Sequence, residues 1–151
     1  MGYLHIENLY KCQDILLFRE CYALEKIHGT SAHIRWKDGK IWLSPGGESA
    51  TRFAALFDVP ALTATCAELF LSEAVIYGEA YGGKQQGMKD TYGPDLRFIV
   101  FDIQQAGVWL PVPEMDRLAR ALGLDVVAWH RVSTDLAALD MARDANSTQA
   151  I

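Results

Sequence analysis

The chain has 151 residues, carries 14 basic and 19 acidic side chains for a net charge of −5, and is 50% hydrophobic. This length suits a single domain, and such an apolar composition excludes wholesale disorder. The acidic balance excludes a strongly basic nucleic-acid coat, although it leaves room for a local basic groove.

The cysteines and histidines are not spaced as in disulfide-bonded or metal-binding proteins. The three cysteines (Cys12, Cys21 and Cys66) are odd in number and form no CxxC pair, which predicts reduced, mostly buried thiols in a cytoplasmic protein. The histidines have no metal-ligand spacing, so no protein metal site is predicted. No apolar run reaches the about 18–20 residues of a membrane span, and no secretory leader pattern is present, so we expect no membrane partner.

Strand and helix patterns occur together along the chain, and an Asp38-Gly39 hairpin signal falls between the second and third strands. The predicted strands are 21–26, 31–36, 40–44, 74–81, 97–103, 108–110 and 125–132. The predicted helices are 49–57, 60–71, 113–122 and one capped by Ser133 or Thr134 that runs to about 145. Hairpins mixed with helical connections predict one domain of the α+β class, with a mixed, largely antiparallel sheet and flanking helices.

The first candidate site is the segment Lys26-Ile27-His28-Gly29 at the predicted end of a strand. If the strand continues, Lys26 and His28 share a face. A lysine amine attacks only after losing its proton, which costs about 4–5 kcal/mol at pH 7 for an ordinary lysine. The commoner interpretation of such a segment is a surface lysine before a turn.

Glu79 is the second candidate, because it lies within an apolar strand, Ala74 to Tyr81. Burying an unpaired carboxylate is costly, so Glu79 requires a protein cation or a ligand hydroxyl as its partner. The ordinary interpretation is a strand-end glutamate paired with lysine or arginine.

The third candidate is the strand that contains Phe-Ile-Val-Phe-Asp-Ile. Alternation places Phe98 and Val100 on one face and Ile99, Phe101 and Ile103 on the other. The ordinary interpretation is a strand buried on both faces. An aromatic ring on a ligand-facing side could instead stack on a planar base.

In this order, the Lys-x-His-Gly, Gly-Glu and Phe-Asp-Ile segments resemble the covalent nucleotidyltransferase superfamily, and most closely the RNA ligase 2 family of ATP-dependent RNA ligases. The stretches 25–31 and 77–88 extend the resemblance beyond the bare motifs, and it spans residues 22–151. DNA ligases and capping enzymes usually have aspartate where His28 stands. The resemblance implies the fold of a nucleotidyltransferase (adenylation) domain.

That resemblance implies an activity that uses ATP and Mg²⁺ or Mn²⁺. Lys26 would attack the α-phosphate of ATP, releasing pyrophosphate and leaving lysyl-AMP. AMP would then pass to an RNA 5′-phosphate, and an RNA 3′-hydroxyl would displace it to seal the strand.

Roles for individual residues follow from the same resemblance. His28 would lie near the phosphates as a second catalytic residue. Glu79 would accept hydrogen bonds from the ribose hydroxyls, and Phe101 would stack on adenine. Gly29 would let the loop approach the nucleotide, and Glu25 is assigned to the same nucleotide-binding site.

Many relatives carry a phosphate-contacting arginine shortly after the hairpin, where this chain has Ser-Pro-Gly-Gly at 44–47. Either Ser44 with backbone amides replaces it, or Arg52 reaches in from the next helix. Lys84 and Gln85 follow a glycine pair and are possible phosphate or RNA contacts.

The family's Glu-Gly-Val-Val strand and its strand with two closely spaced lysines have no counterpart here. The chain is therefore expected to be the N-terminal part of a nucleotidyltransferase domain. Uncovered sheet edges would then favour self-association or a partner chain. Two alternatives stay open: a truncated pseudo-ligase that binds adenine nucleotide or RNA ends without turnover, and a capping-type guanylyltransferase, against which His28 argues.

Overall fold

The computed structural model of the protein describes residues 2–151. The strands are β1 (Glu20–Leu24), β2 (Thr30–Lys37), β3 (Lys40–Ser44), β4 (Ala74–Tyr81), β5 (Arg97–Gln105), β6 (Val108–Trp109), β7 (Asp125–Val126) and β8 (Trp129–Ser133). The helices are α1 (Ala50–Ala54), α2 (Val59–Leu69), α3 (Lys89–Tyr92), α4 (Val112–Ala121) and α5 (Leu136–Arg143). Short 3-10 turns occupy Asp14–Leu17 and Gln85–Gly87.

The chain forms two compact units. The larger unit comprises Ile27–Val127 and Gln149–Ile151, and the smaller unit comprises the residues up to Lys26 together with Ala128–Thr148. In the larger unit the strand order is β3-β2-β4-β5-β6, with β7 also paired to β5. In the smaller unit β1 pairs with β8. All of these pairs are antiparallel except β5 with β7, so the predicted α+β class with a mixed, largely antiparallel sheet is confirmed.

The β2–β3 hairpin confirms the turn predicted from Asp38-Gly39. Asp38 has φ +48° and Gly39 has φ +73°. Two consecutive positive φ values match the right-handed twist of the strands they join, and aspartate followed by glycine tolerates them best. The turn sets the register that places Ile34 opposite Leu43.

One face of the larger sheet forms the core of that unit. Ile34 lies opposite Ile76, and Ile76 lies opposite Ile103, and all three are fully buried. Farther along the same face, the Phe98 ring meets Phe53 and Phe57 edge to face, at centroid distances of 5.4 and 5.6 Å. Phe53 belongs to α1, so these aromatic contacts attach the helical segment to the sheet.

A β-bulge between β4 and β5 changes which residues share a face. Val100 lies opposite Gly78 and Asp102 lies opposite Tyr77, so Phe101 is the extra residue of the bulge. Ile103 consequently lies on the Val100 face of the sheet, and the predicted grouping of Ile99, Phe101 and Ile103 on one face is wrong. Simple alternation fails because the bulge inserts one residue into the strand.

Gly78, which lies opposite Val100, leaves room for the Phe98 ring. A Cβ at Gly78 would lie 2.5 Å from Cζ of Phe98, so only glycine lets the ring lie over β4.

The predicted strand over 125–132 is two strands. Val126 pairs with Val100 in parallel, whereas Trp129 pairs with Leu24 in the antiparallel β1–β8 ladder. Val126 and Val127 are both buried, which breaks the alternation of a single half-exposed strand.

Several element ends also differ from the sequence prediction. Helix α1 is shorter than 49–57, and β1 ends at Leu24, so the predicted strand does not extend to Lys26. The last helix is capped by Asp135, whose side chain accepts a hydrogen bond from the Ala138 amide at 2.9 Å. Ser133 and Thr134 donate their hydroxyl hydrogens instead, to Asp135 and to the carbonyl of Phe18. The predicted cap was therefore wrong, because these hydroxyl groups have other partners.

All three cysteines are free thiols, but only Cys66 is buried, while Cys21 is half-buried and Cys12 is exposed. The prediction of mostly buried thiols is wrong for Cys12, which lies in the N-terminal segment ahead of β1. Burial raises the pKa of the Cys66 thiol to about 11. Within residues 2–151, no helix has both the length and the apolarity to cross a bilayer.

Candidate nucleotide site

Glu79 and Gly29 are brought together in the larger unit. Glu79 is a half-buried residue of β4, where it lies opposite Ser31 on one side and Ile99 on the other. Its Oε1 atom accepts a hydrogen bond from the Gly29 amide at 2.9 Å. A backbone amide therefore supplies one partner for the carboxylate, where the sequence suggested a cation or a ligand hydroxyl.

Gly29 is required by the packing of the protein itself. A Cβ at this position would lie 2.9 Å from the carbonyl carbon of Ala80 and closer still to its oxygen. These are backbone atoms of β4, which cannot rotate away as a flexible side chain does. The loop thus approaches β4 closely enough for the Gly29 amide to reach Glu79. The predicted approach of Gly29 to a nucleotide stays a prediction.

His28 lies exposed just before this contact, and buried aromatic residues support its backbone. The His28 amide donates to the Tyr92 hydroxyl over a long 3.4 Å. The Tyr92 ring packs against Tyr81 at 5.4 Å, and the Arg97 guanidinium lies 4.7 Å from the centre of the Tyr81 ring. Arg97 also donates to the Tyr92 carbonyl at 2.6 Å. This cluster was not predicted from the sequence, although the two tyrosines that flank the glycine-rich segment could have suggested it.

Phe101 is half-buried, at the bulge of β5 beside β4. Bulges change the direction of a side chain relative to a regular strand. The stacking of Phe101 on adenine stays a prediction.

An aromatic row occupies the sheet face that carries Glu79. Tyr77, two residues before Glu79, packs against His33 at 5.6 Å and Trp109 at 5.4 Å. Tyr77 is buried, so this row belongs to the packing of the protein. Burial and the nearby Arg35 charge lower the pKa of His33, which favours its neutral form.

Arg52 and Gln85, two predicted phosphate or RNA contacts, share a partner that was not predicted from the sequence. Glu48 accepts from Nη1 of Arg52 at 3.3 Å through one carboxylate oxygen and from Nε2 of Gln85 at 2.7 Å through the other. The four-residue spacing from Glu48 to Arg52 could have suggested an ion pair on a helix. Lys84, beside Gln85, is exposed.

In the turn after β3, one backbone amide already forms a hydrogen bond within the protein. The Gly47 amide donates to Oγ1 of Thr30 at 2.8 Å, and a Cβ on Gly46 would strike β2 near Ser31. The Gly47 amide therefore already has a protein acceptor. Whether Ser44 with backbone amides or Arg52 takes the place of the family's arginine stays a prediction. Ser44 is half-buried at the end of β3, and its role at the nucleotide stays a prediction.

Glu25 and Lys26 belong to the smaller unit. The Glu25 amide donates to the Ala128 carbonyl at 2.8 Å. Its carboxylate accepts hydrogen bonds from the hydroxyls of Ser147 and Thr148 and from the Thr148 amide, the last at 3.0 Å. Lys26 is exposed and lies beyond the end of β1.

Residues 2–151 contain no group of three or more histidine, cysteine, aspartate or glutamate side chains arranged to hold a metal ion.

The fold is that of part of the nucleotidyltransferase domains of RNA ligases. A model of the RNA ligase family matches residues 19–149. The chain belongs to the RNA ligase family. Comparison with curated protein sequences finds no match.

Solved structures agree with this assignment of fold. An archaeal ATP-dependent RNA ligase (form 2) superposes with a TM-score of 0.68 at 23% identity, covering 92% of this chain and 40% of that protein. An RNA ligase variant from Naegleria gruberi, solved with ATP and manganese, superposes with a TM-score of 0.62 at 19% identity, covering 78% of this chain and 38% of that protein. The chain thus spans about two-fifths of the length of the ligases it matches.

Proposed function

We propose that the chain is the adenylylating part of an ATP-dependent RNA ligase. The hydrogen bond from the Gly29 amide to Glu79 carries the proposal. This hydrogen bond joins Gly29, three residues after Lys26, to Glu79 of β4. Two of the three sequence motifs are therefore in direct contact. Membership of the RNA ligase family supplies the reaction class.

In the proposed first step, the Lys26 amine loses a proton and attacks the α-phosphorus of ATP. A phosphorus–nitrogen bond forms, the bond to the bridging oxygen breaks, and pyrophosphate leaves with the electron pair. Negative charge accumulates on the departing pyrophosphate, so hydrogen-bond donors that contact the pyrophosphate oxygens accelerate the step. His28, in the same loop sequence, is the proposed donor to the phosphates.

The nucleoside would be held by the larger unit. Glu79 is half-buried, and a carboxylate accepts hydrogen bonds from both ribose hydroxyls in a way that no neutral apolar residue reproduces. Phe101 would stack on the purine, an interaction worth about 1–3 kcal/mol per base. Ser44 and Glu25 complete the proposed set of nucleotide contacts.

AMP would next pass from Lys26 to an RNA 5′-phosphate, and a 3′-hydroxyl would attack that phosphate and release AMP. Arg52, Lys84 and Gln85 are the proposed contacts to phosphate or RNA. The solved N. gruberi relative contains manganese, and we propose that Mg²⁺ or Mn²⁺ acts here too. In this proposal the ion would be held mainly by the nucleotide, and no step is assigned to a protein–metal bond.

Transfer of label from ATP tests this proposal. The chain is incubated with α-labelled ATP and Mg²⁺ or Mn²⁺ and run on a denaturing gel. Label should remain on the wild type, vanish in Lys26→Ala and persist in Lys40→Ala, which removes an exposed lysine from the β2–β3 hairpin. Nucleotide-dependent thermal stabilisation without label would instead identify a binding protein without turnover. Preference for labelled GTP would identify a guanylyltransferase.

A further inference from the structure

Glu48 is an unusually enclosed carboxylate for a residue in a surface turn. Only 5% of its side chain is exposed. One oxygen accepts from the Ser49 amide at 2.7 Å and from Arg52, and the other accepts from Gln85. A carboxylate taken out of water needs such partners to remain charged, and here both oxygens have them.

Through these contacts Glu48 connects two distant segments of the larger unit. Arg52 lies in α1, and Gln85 lies in the 3-10 turn that follows β4. Each contributes a donor to a different oxygen of the same carboxylate. Arginine and glutamine side chains each have several rotatable bonds, so a shared acceptor removes much of their freedom before any ligand arrives.

The paired side chains retain the chemistry needed to bind an anion. The Arg52 side chain is 49% exposed, although one of its nitrogens contacts Glu48. A guanidinium has five N–H donors in a planar fork, which suits phosphate oxygens. Exposed Lys84 adds a second cation next to Gln85. Gly83, with φ +58°, adds no side chain, and a Cβ there would lie 3.6 Å from Nη2 of Arg52.

We propose that Glu48 is a positioning residue that holds Arg52 and Gln85 together as one binding site for a phosphate group. This inference rests on the proposed function for its ligand, which is a phosphate either of the nucleoside triphosphate or of the RNA 5′ end. Glu48 itself does not touch the ligand. It fixes the direction from which the Arg52 guanidinium meets the phosphate.

Equilibrium binding to the full chain without divalent metal, where the covalent step is suppressed, tests the inference. The probes are ATP and one RNA oligonucleotide with either a 5′-phosphate or a 5′-hydroxyl. The variants are Glu48→Gln, Arg52→Ala and their double mutant. Glu73→Gln is the matched control, because Glu73 pairs with Arg35 at 2.8 Å and Lys37 at 3.2 Å elsewhere in the same unit.

We expect Glu48→Gln to weaken binding of one phosphate-bearing probe about tenfold, and the double mutant to bind as weakly as Arg52→Ala alone. A loss confined to ATP assigns the site to the triphosphate. A lower preference for 5′-phosphate over 5′-hydroxyl RNA assigns it to the RNA end. A purely structural role would not change that preference, and Glu73→Gln should leave both probes unaffected.

Three results would overturn the inference. The first is a double mutant whose loss of affinity equals the product of the losses in Glu48→Gln and Arg52→Ala. The others are a change in affinity below about twofold for every probe, and a wild type that binds neither phosphate-bearing probe. If Glu48→Gln fails to fold in a thermal melt, Gln85→Ala replaces it and should weaken the same probe. The labelling of Lys26 is scored separately. Label with unchanged phosphate binding refutes only this inference, whereas phosphate binding that depends on Glu48 without label refutes only the proposed catalysis.

Discussion

Replacing Gly29 with alanine tests whether the loop must lie against β4. The new Cβ would lie 2.9 Å from the Ala80 carbonyl carbon and closer to its oxygen. Because Gly29 has no positive φ, the expected cost comes from this collision and not from backbone strain. The loop must withdraw, and the 2.9 Å hydrogen bond from its amide to Glu79 lengthens or breaks.

The size of the effect follows from those two losses. Forcing an extra carbon into a packed region costs about 1–3 kcal/mol. Losing a hydrogen bond to a carboxylate costs about 1.5–3 kcal/mol. Together they remove about 2.5–6 kcal/mol from a total stability of about 5–15 kcal/mol. With an m-value of about 2 kcal/mol/M, the urea midpoint should fall by about 1–3 M.

Urea unfolding followed by circular dichroism measures this loss. Gly87→Ala is the control, since a Cβ there meets nothing within 4 Å and only its φ of +69° is unfavourable. That strain costs about 1–2 kcal/mol, so Gly29→Ala should be the less stable variant. A Gly29→Ala protein as stable as the wild type would refute the proposed packing of the loop on β4.

Three further predictions concern stability and reactivity. The Ser49 amide and the Gln85 side chain lower the pKa of Glu48, so its stabilising effect is present above pH 4.5 and is lost as the pH falls further. Glu48→Gln should therefore melt at a temperature that depends less on pH in acid, and an unchanged profile would contradict this. Burial raises the pKa of Cys66 to about 11, so a thiol reagent at neutral pH should modify exposed Cys12 and reach Cys66 only in urea. Equal modification rates of Cys12 and Cys66 in the folded protein would be contrary evidence. Asp58→Ala removes the cap that accepts from the Ala61 amide at 3.1 Å and should cost about 1 kcal/mol in urea unfolding, whereas Asp58→Asn should restore most of it.

Local signals in the sequence were sufficient wherever neighbouring residues determine the structure. Asp38-Gly39 dictates a two-residue turn through its backbone preferences, and Pro60 fits the first turn of α2 because its missing amide hydrogen is not needed there. The apolar stretch of β4 is long enough to identify a central strand without any knowledge of its partners.

Features that depend on distant partners could not be found in this way. The bulge at Phe101 arises from the pairing of β5 with β4, and no pattern within β5 reveals it. The division of 125–132 depends on two different strands, β5 and β1, each pairing with part of the segment. Likewise, Glu48 gains its importance from Gln85, which lies far away in the chain.

The candidate site shows the same contrast. The motif resemblance identified Glu79 and Gly29, which lie in hydrogen-bond contact. It could not reveal that the backbone of Ala80 leaves no room for a side chain at residue 29. That restriction arises only because two segments far apart in the sequence lie in contact.

The proposed reaction leaves AMP covalently attached to the Lys26 amine. Mass spectrometry of peptides from the chain after incubation with ATP and Mn²⁺ detects that attachment. We expect an added AMP on the peptide that contains Lys26, stable to denaturation and removed by acid, because the bond joins phosphorus to nitrogen. An unmodified Lys26 peptide, or AMP attached to a different lysine, would contradict it.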